Sequence, residues 1–135
     1  MESFYLTAIV TLLALIVYFY MGLRVGMARS TYNVPAPATS GDPIFERHFR
    51  VHMNTLEWMP IFLPSLWIFA GVWNDAAAAI IGLVWIVGRL IYMFAYVADP
   101  SKRSMGFFIQ MLATAVLLFG SLGFIVGQVV AKLTS

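Results

Sequence analysis

The residues of this chain able to do chemistry are few and bunched. From Ile44 to Leu63 the sequence reads IFERHFRVHMNTLEWMPIFL, carrying Glu46, Arg47, His48, Arg50, His52, Asn54 and Glu57 into a segment that ends wholly apolar. On a helix, Arg47, Arg50, Asn54 and Glu57 follow one another by three, four and three residues and so share one face. A second set, Arg89, Tyr92 and Tyr96, repeats that spacing further on. Arginine forks clamp carboxylates, a glutamate holds an ammonium, and amide and phenol groups fix carbonyls. This inventory suits a small zwitterion with more negative than positive charge, and does not by itself single out one such solute. The competing reading is a snorkelling, self-neutralising charge cluster at a helix end, with Arg50 and Glu57 in salt bridges. It accounts for Arg47 and Arg50 more easily than for Asn54 and Glu57, which lie one and two turns deeper. His48 and His52, four apart, could join acidic neighbours around a metal, but no H-E-x-x-H or comparable set accompanies them, so polar lining is expected and no metal. Tyr96 alone reads as an interfacial anchor; Arg89, deeper on the same face, would be expensive there without a partner.

The elements that must carry these residues follow from the hydropathy. The chain has 135 residues, 61% of them hydrophobic and only 10% charged, with a mean hydropathy of +0.87. Lipid must therefore solvate most of its surface, which puts it outside the balance of soluble domains. A net charge of +2 is too small and scattered for nucleic acid, and with no cysteine there are neither disulfides nor thiolate metal sites. Four apolar runs predict an all-α, integral membrane four-helix bundle in a single domain over residues 1–135, with spans of about 4–27, 44–73, 76–98 and 105–133. The first run has 24 residues, about 36 Å of helix against a hydrocarbon core of about 30 Å. It is too long for a signal-peptide core, and Glu2 stands where such a peptide has Lys or Arg. Ser30 to Pro43, with three prolines, reads as a loop. Asp42-Pro43 then supplies an N-cap and a first-turn proline for the motif helix, in which Pro60 and Pro64 predict bends.

Of the eight Lys and Arg residues, only Lys132 lies away from the first and third loops. The positive-inside rule places those loops in the cytoplasm and both termini on the opposite side. Gly120, Gly123 and Gly127 predict close helix packing in the last span. The absence of inverted repeats or broken midplane helices disfavours a small transporter.

ERHFRVHMNTLEWMPIFL, followed by GRLIYMFAYVADPSKR (Gly88 to Arg103), resembles the MAPEG family, membrane-associated proteins of eicosanoid and glutathione metabolism. The likeness is greatest to the branch of microsomal glutathione transferases, leukotriene C4 synthase and the 5-lipoxygenase-activating protein. It covers the whole four-helix pattern, and E-R-x-x-R-x-x-x-N-x-x-E with the later R-x-x-Y-x-x-x-Y carries its specificity. The resemblance implies a homotrimer that binds glutathione between subunits near the cytoplasmic face, with membrane lipid around it. It implies glutathione contacts for Arg50, Asn54, Glu57, Arg89, Tyr92 and Tyr96, and places Arg29 and Arg103 at arginines of the catalytic branch, either of which could activate the thiol. His52 stands where that branch often has glutamine, and Trp58 where a tyrosine is common. The implied function is a glutathione transferase acting on a lipophilic electrophile, with peroxidase activity as an extension. The alternative is a non-catalytic lipid-binding or scaffolding member, against which Arg103 is the discriminating residue.

Overall fold

The computed structural model describes residues 2–135. After a 3-10 turn at Glu2–Phe4, four helices follow: α1 (Tyr5–Tyr32), α2 (Pro43–Val72), α3 (Asp75–Ala98) and α4 (Ser104–Thr134), the last preceded by a 3-10 turn at Pro100–Lys102. All four are long and apolar enough to cross a membrane. Large apolar side chains such as Leu12, Ile16, Phe19, Val87 and Phe119 cover the outside, as they do where lipid replaces water as solvent. The molecule is an all-α membrane four-helix bundle.

Local sequence explains the helix ends. The Asp42 side chain accepts from the Ile44 N–H at 2.8 Å, and Pro43 takes the first turn of α2, where a missing N–H costs nothing. Asn74 caps α3 by accepting from the Ala77 N–H at 2.7 Å. The expected loop from Ser30 begins later: α1 stays helical to Tyr32 and closes at Asn33, in the left-handed region at φ 55°. Ser30, Thr31 and Tyr32 contain no helix breaker, whereas an asparagine in this conformation ends a helix by turning its N–H back on the last turn. The Asn33 and Val34 N–H groups both reach the Arg29 carbonyl. Helical backbone in α2 continues through Pro60 and Pro64.

The N-terminus of α1 is capped from another helix. The Asp75 carboxylate, at the start of α3, accepts from the Leu6 N–H at 3.0 Å, the Thr7 N–H at 2.8 Å and the Thr7 hydroxyl at 2.6 Å. These amides have no partner within their own helix. Trp67 joins the same end by donating to the Thr11 hydroxyl at 2.9 Å.

The core is apolar and centred on Phe62 and Trp85, whose rings stack at 3.9 Å with Leu66, Ala14 and Leu117 around them. Close helix approach rests on other glycines than those expected. A Cβ added at Gly82 would meet the Val10 side chain of α1, one at Gly88 the Gln110 backbone of α4, and one at Gly106 the backbone of Gly88 and Tyr92 in α3. In the expected trio, Gly120 lies against the Phe69 ring, but Gly123 and Gly127 have nothing within 4 Å. The last turns of α4 run past the packed core, with residues 125–135 all exposed, so spacing alone did not reveal which glycines meet a neighbour.

Candidate functional site

At the end of the bundle formed by the first and third loops, α2, α3 and the start of α4 enclose a cleft of about 730 Å³. Arg50, Asn54 and Glu57 enter it from α2, Tyr92 and Tyr96 from α3, and Arg103 from the turn before α4. Five residues singled out by type and spacing thus share one surface with Arg103, which the family resemblance singled out. Arg50 and Glu57 are exposed within the chain. Glu57 therefore lies on the outer surface and not buried in the bundle: at its position α2 turns that face away from the other helices. The salt bridges of the competing reading are also missing. Among the described residues, neither Arg50 nor Glu57 makes a side-chain hydrogen bond or ion pair within the chain, which leaves both charges available to a ligand.

The floor of the cleft is built from backbone contact. Because Gly106 has no side chain, α4 rests directly on α3 at Gly88 and Tyr92, and Tyr92 is thereby buried at the base of the wall. Its ring lies 5.5 Å from that of Tyr96 and has the Arg89 guanidinium 4.4 Å from its centroid. Arg89 itself is fully buried and donates to the Thr55 hydroxyl at 2.7 Å, with Nε and Nη1 unpartnered among the described residues. It sits beneath the cleft wall, not in the opening. Asn54 Oδ1 is buried and likewise unpartnered.

Arg103 belongs to two adjoining openings. It lines the polar cleft and a second one of about 640 Å³, where Asn54 and Tyr92 meet Met105, Phe107 and Phe108. Its guanidinium donates to the Pro100 carbonyl at 2.9 Å. The turn that carries it is fixed by Asp99, which accepts from the Ser101 N–H at 3.0 Å and hydroxyl at 2.8 Å. Those bonds, the hydroxyl first, hold the Asp99 carboxyl below the usual carboxylate range. An arginine held where a polar cleft meets an apolar one can stabilise an anion while an apolar partner approaches from the other side.

Arg29, His52 and Trp58 are elsewhere. Arg29 donates to the carbonyls of Val34 at 3.3 Å and Ala38 at 2.7 Å, with its guanidinium over the Phe45 ring at 4.9 Å, and so pins the first loop. His52 stacks on Tyr18 of α1 at 4.6 Å. Trp58 packs edge-on against Phe107 at 5.6 Å. Arg47 departs from the cleft face too: it donates to the Val97 and Ala98 carbonyls at 3.0 and 3.3 Å, neutralising the C-terminus of α3. Among the described residues, no three His, Asp or Glu side chains gather as a metal would need.

The profile of the MAPEG family matches residues 7–123. The chain belongs to the MAPEG family. Its relatives include an uncharacterized protein of Synechocystis, 43% identical over 115 residues, or 85% of this chain and 84% of that one. Microsomal glutathione S-transferase 2 of Homo sapiens is 40% identical over 119 residues, 87% of this chain and 81% of that one. Leukotriene C4 synthase of Rattus norvegicus is 40% identical over 102 residues, 76% and 68% of the two. In this MAPEG chain Thr39, Ser40, Phe49 and Met53 also line the polar cleft. The helical stripe could have signalled Met53, three residues after Arg50, and Phe49, four residues before Met53. Nothing local signals Thr39 and Ser40, which the first loop brings back over α2.

Proposed function

We propose that this chain is a membrane-bound glutathione transferase, working as a homotrimer of one membrane domain per chain, that joins the glutathione sulfur to lipophilic electrophiles. The observation that carries the reading is the convergence of Arg50, Asn54, Glu57, Tyr92, Tyr96 and Arg103 on one cleft, in a chain 40% identical to microsomal glutathione S-transferase 2. Arg50 holds a carboxylate, Glu57 the ammonium, and Asn54 and the tyrosines the peptide groups. Arg89 is a positioning residue that fixes the Tyr92 ring from below.

The assembly follows from what a single chain leaves open. An exposed carboxylate between exposed Leu56 and Ile61 is costly against lipid, and a neighbouring subunit closing the cleft removes that exposure. Arg29 and His52, on the α1 side, reach glutathione from such a neighbour. The first and third loops face the cytoplasm, where the ligand is abundant.

A thiol of this kind has a pKa of about 8.5, so at neutral pH most of it is protonated and weakly nucleophilic. The Arg103 guanidinium stays protonated and favours the thiolate by opposite charge. The thiol proton leaves to water, the thiolate forms the S–C bond, and the bond to the leaving group breaks with its electron pair. The apolar opening beside Arg103 presents the electrophile from the bilayer. Of the two candidate activators we favour Arg103, because the Arg29 guanidinium is committed to loop carbonyls. With a lipid hydroperoxide instead, two glutathiones are oxidised to the disulfide while the hydroperoxide becomes an alcohol and water.

Purified protein in detergent, given glutathione and a chloronitrobenzene, should release chloride and form the thioether. Arg103→Ala should lower turnover far more than glutathione affinity, shift the pH–rate profile upward and abolish the ultraviolet thiolate signal of bound glutathione. Wild-type turnover and pH profile in that variant would refute the role of Arg103. Glutathione binding without turnover on any electrophile or hydroperoxide would favour the non-catalytic lipid-binding reading, and no glutathione binding would overturn both.

A further inference from the structure

We propose that a recess between α1 and α2, separate from the glutathione cleft, binds a phosphate group at the membrane surface. The recess, about 240 Å³, is lined by Arg24, Met27, Ala28, Thr31, Tyr32 and His48. It shares no residue with either opening of the cleft. Several times the roughly 30 Å³ share of one water, it has room for a tetrahedral oxyanion.

Three observations assign its ligand. Arg24 Nη1 is buried and has no hydrogen-bond partner among the described residues, although an unsatisfied charged donor is among the costliest groups to leave alone. Its guanidinium is held between aromatic rings, 5.1 Å from the Phe94 centroid and 5.8 Å from that of Tyr20, which orients the fork without using its N–H groups. The lining contains an arginine, a histidine, a threonine and a tyrosine and no carboxylate, so it offers donors to an anion and nothing that repels one. A guanidinium fork matches two phosphate oxygens at once.

Depth points the same way. Arg24 lies eight residues before the end of α1 and His48 five residues into α2, about 12 and 8 Å from the helix ends at 1.5 Å per residue. That is within snorkelling reach of the lipid headgroups on the side carrying most of the basic residues. Exposed Met27 and Phe94 flank the Arg24 guanidinium with apolar surface, so a ligand carrying both a phosphate and acyl chains would find partners for each. The phosphate thus belongs to an anionic phospholipid, or to a soluble phosphate taken from the cytoplasmic side; the chemistry is shared and the sources are separable.

Native mass spectrometry of the full chain in neutral detergent, titrated with phosphatidylglycerol, phosphatidylcholine or inorganic phosphate, tests the proposal. Wild type should retain phosphatidylglycerol in preference to phosphatidylcholine, about tenfold more tightly than Arg24→Gln, the scale of one charge-assisted hydrogen bond. His48→Val should weaken retention by a smaller factor, Arg24→Lys should recover part of it, and Lys132→Gln, at the far surface, should match wild type. Inorganic phosphate that binds wild type but not Arg24→Gln, and displaces the lipid at millimolar concentration, would make the ligand a soluble phosphate and support the same site. Equal retention of every probe by wild type and Arg24→Gln would overturn the proposal. If Arg24→Gln aggregates, equal retention by wild type and His48→Val, with Arg24→Lys also unchanged, overturns it as well.

Discussion

Gly106 offers the sharpest test of how packing produces the cleft. An alanine there would place its Cβ 2.7 Å from the Gly88 carbonyl oxygen and 2.7 Å from Tyr92 Cα, where ordinary contact begins near 3.4 Å. Both obstacles are backbone, so no rotamer change relieves them, and α3 and α4 must separate by about 0.7 Å at least. Overpacking of this kind costs about 1–3 kcal/mol. The displaced residues are Tyr92 on the cleft wall and, three positions before the substitution, Arg103. A misplacement near 1 Å costs about a hundredfold in rate, so a loss of tenfold or more in conjugation kcat/KM is expected beside a lowered thermal midpoint. Gly123→Ala, with nothing within 4 Å, is the matched control and should behave as wild type. Unfolding in detergent followed by tryptophan fluorescence gives the first readout, and chloronitrobenzene conjugation the second. A wild-type midpoint for Gly106→Ala would refute the packing argument whatever the activity.

Glu57→Gln should weaken glutathione binding by about tenfold or more, as loss of one charge-assisted bond of about 1.5–3 kcal/mol implies, while isothermal titration or thiolate absorbance is read against an unchanged unfolding midpoint; intact affinity with lowered stability would return Glu57 to a structural role. The Asp99 carboxyl is held below the usual range, so its contribution to the turn is complete above about pH 4 and fades as pH falls through the lower folded value. Asp99→Ala should accordingly melt earlier than wild type at pH 7, and the gap should close below about pH 4. Reporter fusions after Ser40 and after Lys102 should read cytoplasmic and one at the C-terminus external; the opposite pattern would put the cleft on the side without cytosolic glutathione.

What could be read from the sequence was whatever is local or periodic. The four helices follow from unbroken apolar runs, and the entry to α2 from Asp42-Pro43, because a cap needs only its own next residues. The α2 stripe and the Tyr92–Tyr96 pair were visible as one-face spacing, which fixes direction on a helix but not what lies opposite. That is why Arg47, in register with Arg50, instead serves the end of α3, and why Glu57, two turns deeper along α2, still lies on the outer surface. The glycines make the same point. Gly120, Gly123 and Gly127 carry the helix-packing spacing, yet Gly82, Gly88 and Gly106 make the closest approaches, because a close approach is decided by a second helix. Arg24 and His48 are 24 positions apart, and no pattern within either helix announces the recess they share.

The link from Asp75 to Leu6 and Thr7 has a consequence for how the chain is made. The two partners are 69 and 68 positions apart, so α1 enters the membrane with its first amides lacking their final acceptor. It receives one only when α3 has been synthesised and inserted alongside. The third helix therefore completes the first, and completion doubles as a length check on everything between. One extra helical residue between the Asn74 cap and Asp75 would turn that position by about 100° and swing the carboxylate off its target. The first loop, ten residues from Asn33 to Asp42, is tied to α1 by Arg29 at Val34 and Ala38, but among the described residues Thr39 to Gly41 make no bond to another helix. Tolerance to insertion should therefore be unequal along the chain: strict in the short turn far from the chemistry, and looser in the long loop beside it.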